Sequence, residues 1–450
     1  MAGLKYDKVI KYIISAKCEG PLHIGSSVGG KEDVLIHPVD NLPFVQASSI
    51  AGVFRSYAQT FMDVDADELF GTSHIDKEKS STEQQSRVRF TDGNFDMRSL
   101  KMELRPHVKI DRKTGSVSSS KSSGQKFDIE YIGAGARFNT VLYVYINTKD
   151  NQSIETNVKE ILGAMKAGYL QFGAKKSSGA GIIIPISVKR KVFLMSDEND
   201  RKAWFDEESL DENYYEEIIE SLPNVINQKN KYRVTVKGKT EGNILIKGLS
   251  VSSFGEGAPD SENIRNANGD YIIPGSSLRG AIRGQMEKIC SYLGKEALID
   301  ASFGKVGINK EEGYDGNLMF ADAVIGNRMT NDMADLRHRI HIDKFTGGVF
   351  QQGLFAEKNA VGDLELEITI VNKNQPDATL GLLLMAIRDL ASKVMTLGSG
   401  FATGKGFIDV SEIIVNCGDD VAKVTYKDTI QVEDSNNIIK NAIEALREVS

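Results

Sequence analysis

Ala47-Ser48-Ser49-Ile50-Ala51-Gly52-Val53-Phe54-Arg55 returns later in the chain as Gly275-Ser276-Ser277-Leu278-Arg279-Gly280-Ala281-Ile282-Arg283. The two stretches stand 276 − 48 = 228 residues apart, and further matches surround them in the same order. Leu69-Phe70-Gly71 returns as Ser302-Phe303-Gly304, and Arg89-Phe90-Thr91-Asp92 as Met319-Phe320-Ala321-Asp322. Leu104 to Gly115 (LRPHVKIDRKTG) returns as Leu336 to Gly347 (LRHRIHIDKFTG), and Gly173 to Gly181 (GAKKSSGAG) as Gly398 to Gly406 (GSGFATGKG). This period far exceeds the roughly 20 to 50 residues of a solenoid unit, so the chain duplicates a whole domain. Its 450 residues agree, since a single core stops growing beyond about 250–300.

Each copy reads as strand, loop, helix, strands, helix, glycine loop, strand. In the first copy Lys8 to Ala16 alternates as a strand, Ser48 and Ser49 offer an N-cap for a helix running to about Met62, and Val141 to Ile146 alternates again. Lys159 to Tyr169 and Leu380 to Met395 read as the second helix of each copy. Two helices on one face of an antiparallel sheet make an α+β, ferredoxin-like or RRM-like module. The expected organisation is a first domain over 1–190, an acidic linker over 191–230 with a helix near Tyr214 to Leu222, and a second domain over 231–450. Ser435 offers a cap for a terminal helix whose Ile438, Ile439, Ala442, Ile443 and Leu446 form one apolar stripe for docking on the second domain.

Composition is that of an ordinary globular protein, with 40% hydrophobic and 26% charged residues. Apolar runs such as Ile182 to Ile186 and Leu380 to Ile387 fall well short of the roughly 18 residues that span a bilayer, so no membrane association is expected. The first residues show no secretory pattern, which predicts a cytoplasmic protein. Cys18, Cys290 and Cys417 are too few and too scattered for a disulfide framework or a Cys-x-x-Cys metal site. The net charge of −7 runs against the usual basic footprint of a nucleic-acid binder, but it is unevenly spread. Acids crowd 197–220, while Lys101, Arg105, Lys109, Arg112, Lys113, Lys121 and Lys126 make 101–126 basic.

The duplicated motifs resemble those of the RAMP superfamily of CRISPR-associated proteins. Tyr271-Ile272-Ile273-Pro274-Gly275-Ser276-Ser277-Leu278-Arg279-Gly280 matches the family's helix start, and Pro43 to Gly52 matches it with departures at Gln46 and Ala47. Arg105 to Gly115 and Arg337 to Gly347 resemble the basic signature of the type III backbone subunits that line guide RNA. The resemblance implies a tandem fusion of two such subunits, with crRNA, complementary target RNA and other type III effector subunits as partners. It implies thumbs at Arg105 to Tyr131 and Arg337 to Glu357, with Ser116 to Gly124 as a thumb tip.

Physical readings of the pieces agree with RNA binding. Glycine loops let a sugar-phosphate chain approach and offer amides, with Lys175 and Lys176 or Lys405 adding charge. Helix N-termini at Ser48 and Ser49 and at Ser276 and Ser277 favour a phosphate. Arg55, Arg105, Lys109, Arg279, Arg283, Arg337 and Arg339 complete the expected RNA-binding set.

Each copy also carries an acid in the loop between first strand and first helix, Asp33 and Asp260, 260 − 33 = 227 residues apart. The resemblance implies that they serve metal-dependent cutting of target RNA at two sites, the target's own 2′-hydroxyl attacking, with Glu32 a rival for Asp33. A carboxylate there would help hold Mg²⁺ or another divalent cation, the RNA supplying the remaining ligands. Two other readings stand beside this one: an inert crRNA-binding scaffold, and a metal-independent processing endonuclease working through His23. No nucleotide phosphate loop, serine elbow or dinucleotide fingerprint is present.

Overall fold

A computed structural model of the chain describes residues 6–25, 33–72, 84–108, 110, 126–147, 153–206, 214–225, 230–249, 259–305, 307, 313–327, 336–427 and 429–449. The chain forms two compact units. The first comprises 1–102, 131–176 and 180–226, and the second 103–130, 177–179 and 227–450.

In the first unit the strand Lys8–Cys18 alternates as its side chains dictate, placing Ile10, Tyr12, Ile14, Ala16 and Cys18 in the core. It lies between Arg137–Ile146 and Ile183–Leu194, both antiparallel to it. Gly93–Phe95 and Phe44–Val45 extend the sheet beyond Arg137–Ile146, and Glu216–Glu217 closes the other edge. Helices Ala47–Phe61 and Ser153–Lys166 bury Ile50, Phe54, Tyr57, Val158, Ile161 and Leu162 in the same core.

The second unit repeats the plan. Asn230–Glu241 is its central strand, flanked by Gly362–Val371 and Phe407–Cys417, with helices Gly275–Leu293 and Pro376–Ala391. Asp420–Tyr426 and Ile430–Glu433 extend its sheet. The terminal helix Ile438–Glu448 buries Ile438, Ala442 and Leu446, and approaches so closely that a Cβ on Gly381 would meet the Ala442 carbonyl at 2.3 Å. The α+β duplication and the docked terminal helix are thus as the sequence predicts.

Three local expectations are corrected. Ser48 and Ser49 do not cap the first helix, nor do Ser276 and Ser277 cap its counterpart. Gln46 and Pro274 hold the cap positions, neither with a side-chain cap bond. Instead the amides of Ala47 and Gly275 donate to the carboxylates of Asp92 (2.7 Å) and Asp322 (2.8 Å), brought in by the neighbouring strand turn. Ser435 does not cap the terminal helix; Asp434 accepts from the amides of Ile438, Ile439 and Lys440.

Tyr214 to Leu222 is not a helix. Glu216–Glu217 pairs with Lys189 and Arg190 at the sheet edge, and Ile219–Ser221 is a 3₁₀ turn. Ile218 and Leu222 are buried at a four-residue spacing, which mimics helical periodicity, but opposite charges and a free strand edge favour the strand. Among the described residues of this acidic segment the α-helix is Glu198–Phe205, capped by Asp197. Its Trp204 stands edge-on to Phe193 and Tyr143, covering the sheet face away from the main helices.

Candidate nucleic-acid interface

Two hairpins stand where thumbs are expected. Hairpin one pairs Met102–Val108 with Lys126–Ile132, and hairpin two pairs Leu336–Ile342 with Val349–Lys358. Lys109 and the tip 116–124 lie outside the described residues. Hairpin two turns at Asp343, whose carboxylate accepts from the amides of Phe345 and Thr346, and it exposes Ile340, Phe345, Phe350 and Leu354.

Asp260 is exposed at the base of this hairpin. It precedes the short strand Ser261–Glu262, which pairs parallel with Glu357 and Lys358, and its Oδ2 accepts the Ala356 amide at 2.6 Å. Asp33 is exposed just before Val34, which bridges Gly25.

The two acids are not equivalent in register. Leu35 donates to Ile24 as Ile264 donates to Ile246, and the bridge Gly25 to Val34 answers the bridge Lys247 to Asn263. That offset is 263 − 34 = 229, so Asp33 aligns with Glu262 and not with Asp260.

Several expected RNA-binding cations are engaged within the protein. Arg55 donates to the Gly71 carbonyl at 2.6 Å and pairs with Asp67, and Arg279 donates to the Phe303 carbonyl at 3.0 Å. Both arms tie the first helix of their repeat to the end of the short helix after it, Ala66–Phe70 or Ala297–Phe303. Arg283 pairs with Glu287 at 2.9 Å.

Arg105 is buried, bonded to Glu103 at 2.9 Å and Asp322 at 2.7 Å within the second unit. Burial opposes its charge, but the two carboxylates outweigh that and raise its pKa; burial raises that of Glu103. Lys405 is buried against Glu357 and lies 3.3 Å from the Asn359 side-chain oxygen, while Arg339 approaches Glu357 at 3.5 Å. Lys175, Lys176, Ser48 and Arg337 are exposed, and Ser49, Ser276 and Ser277 are half-buried.

The carboxylates of Asp92 and Asp322 already occupy the first helical amides, where a phosphate was expected. The glycine loops are tight for an internal reason. Gly181 and Gly406 sit at φ 91° and 81°, and a Cβ on either would meet the carbonyl of Phe172 or Leu397 at 2.0 and 2.1 Å.

Among the described residues no group of three His, Cys, Asp or Glu side chains converges. A lone carboxylate such as Asp260 suits a hard cation that keeps waters and takes substrate phosphates as its other ligands. His23 is 2% exposed and packs on the Tyr131 ring at 5.5 Å, which removes it from contact with RNA as an acid or base. Sequence reasoning passed over Glu357 and Asn359. Neither belongs to a duplicated motif, and only folding brings them to Lys405.

The RAMP superfamily model matches residues 15–184 and again 234–409, so the chain belongs to the RAMP superfamily and carries two such regions in tandem. No curated protein matches it. A chain of the cryo-EM structure of the Type III-B Cmr-beta bound to cognate target RNA is similar at 17% identity. The likeness covers 41% of this chain and 61% of that one, with a TM-score of 0.32. Among the described residues no helix is long and apolar enough to cross a membrane.

Proposed function

We propose that this chain is a cytoplasmic backbone subunit of a type III CRISPR effector complex, binding crRNA beside other effector subunits and cutting complementary target RNA with a divalent cation. The observation that carries the reading is Asp260, an exposed carboxylate pinned by the Ala356 amide to the base of a projecting hairpin within a RAMP repeat. Arg337 on that hairpin, together with Lys175 and Lys176 on the first glycine loop, supplies exposed positive charge for the RNA backbone.

The chemistry needs little from the protein beyond placement. The target's 2′-oxygen bonds to the adjacent phosphorus as the P–O5′ bond breaks. The 2′-hydroxyl proton passes to water and the departing 5′-oxygen takes one back, leaving a 2′,3′-cyclic phosphate and a 5′-hydroxyl. A bound divalent cation supplies neutralisation of the charge gathering on the phosphate. Asp260 is the residue to help hold it in repeat two, and Asp33, at a different register position in repeat one, is tested beside it.

The test is cleavage of labelled target RNA by the crRNA-bound complex with Mg²⁺ or EDTA, using wild type, Asp33→Ala, Asp260→Ala and the double variant. Cutting that needs the cation and is lost on removing the acids is the expected result. RNA binding with no cutting by wild type leaves a scaffold.

A further inference from the structure

At three buried positions the two repeats differ in kind. The bridge Leu22 to Ile132 answers Ile244 to Ala360, an offset of 360 − 132 = 228, so Ile129 aligns with Glu357 and Tyr131 with Asn359. Phe172 bonds to Gly181 as Leu397 bonds to Gly406, an offset of 406 − 181 = 225, so Ala180 aligns with Lys405. Glu357, Asn359 and Lys405 are 6%, 1% and 5% exposed, and Ile129, Tyr131 and Ala180 are 1%, 3% and 1% exposed. The aligned positions of repeat one thus hold apolar or aromatic residues where repeat two holds a charged and polar set.

A buried ion pair is a poor device for stability, because desolvating both charges costs about as much as their attraction returns. Its retention in repeat two calls for another reason, and the neighbouring backbone supplies one. Glu357 pairs with Ser261 and Ala356 donates to Asp260, so a side chain fixing Glu357 fixes the strand on which Asp260 hangs. Lys405 reaches it from the glycine loop, and Arg339 approaches from the opposite hairpin strand. Repeat one lacks this cluster, and its Asp33 stands at the register of Glu262 rather than of Asp260.

We infer that the repeats are functionally unequal: Lys405, Glu357 and Asn359 position Asp260, and metal-dependent cutting proceeds at repeat two alone, while repeat one holds RNA without cutting it. This rests on the reading of the chain as a target-RNA nuclease. Lys405 and Glu357 are positioning residues, acting through the Asp260 strand.

The test grafts the apolar set of repeat one into repeat two as Glu357→Ile with Lys405→Ala, alongside Lys405→Arg, all in the crRNA-bound complex. Wild type is expected to give one Mg²⁺-dependent cut, lost in Asp260→Ala and kept in Asp33→Ala. The graft is expected to cut about 10- to 100-fold more slowly and to need more Mg²⁺, as for loss of an outer-shell partner, with melting temperature and crRNA affinity unchanged. Lys405→Arg is expected to recover part of the rate. A second product that depends on Asp33, or a graft cutting at the wild-type rate, overturns the inference. So does a graft that loses melting temperature and crRNA affinity with its activity, since that marks a purely structural cluster. No cutting by wild type overturns the parent reading itself, and is told apart from these outcomes by the wild-type lane.

Discussion

Asp92 and Asp322 occupy the same place in their repeats, each accepting the first amide of the helix behind it, yet their surroundings differ. Asp92 is exposed, whereas Asp322 also binds buried Arg105, which Glu103 grips from its own strand. One duplicated carboxylate thus does a capping task in repeat one and adds a buried charge-pairing task in repeat two. Duplication preserved the backbone need for an acceptor at the helix start, while the side-chain environment diverged around it.

Substitution of these two acids gives the largest contrast. Asp322→Ala removes a carboxylate partner of the buried Arg105 guanidinium and is expected to cost about 3–5 kcal/mol, while Asp92→Ala loses a helix-start acceptor and costs ~1 kcal/mol. Urea unfolding monitored for both variants checks this, and equal losses would break the comparison. Next comes the sheet face covered by the acidic segment. Trp204→Ala removes the ring that packs on Phe193 and Tyr143 and is expected to destabilise the first unit by roughly 2–3 kcal/mol. Hydrogen exchange should then rise in the strands of the first unit and not in those of the second.

Acid sensitivity sharpens the comparison further. At the start of its repeat's second helix, Glu155 is pushed upward by burial, but hydrogen bonds from Lys8 and Lys159 and the Arg190 charge overcome this and hold its pKa at about 2. A carboxyl with a folded pKa below its unfolded value contributes stability above about pH 4.5, and loses it as pH falls toward 2. Glu155→Gln should therefore cost ~1–2 kcal/mol at pH 7, discounted for solvent screening, and almost nothing near pH 2. Chemical denaturation at both pH values measures the difference. Asp377 at the second helix of repeat two is lowered likewise: burial opposes the shift, and bonds from Lys231 and Tyr232 prevail. Asp377→Asn should thus show the same sign. The smallest effect belongs to Lys202→Ala, whose partner Glu198 is as exposed as itself, with an expected change below about 0.5 kcal/mol in thermal unfolding.

The duplication, the α+β plan and the order of elements along each copy were legible because they rest on patterns local in sequence: alternation along Lys8–Cys18, helical spacing in Ala47–Phe61, and glycines where φ is positive. The helix boundaries were less so. The second helices begin at Ser153 and Pro376, earlier than their apolar stripes suggest, because first-turn residues are polar.

Asp33 and Asp260 share a near-constant spacing with the Ser-Ser motifs, and the sequence alone therefore treats them as a pair. Hydrogen-bond register separates them, since the stretches between the matching bonds, Ile24 to Leu35 and Ile246 to Ile264, differ in length. The same limit applies to cations. A sequence reports that Arg105 and Lys405 carry charge, but burial beside Glu103, Asp322 and Glu357 is set by residues far along the chain. By itself, then, the sequence determined two copies of one α+β module and the residue types each could offer to RNA. Only the tertiary structure decided which charges face outward and which are spent on one another, because desolvation and pairing depend on neighbours that folding, not proximity in sequence, brings together.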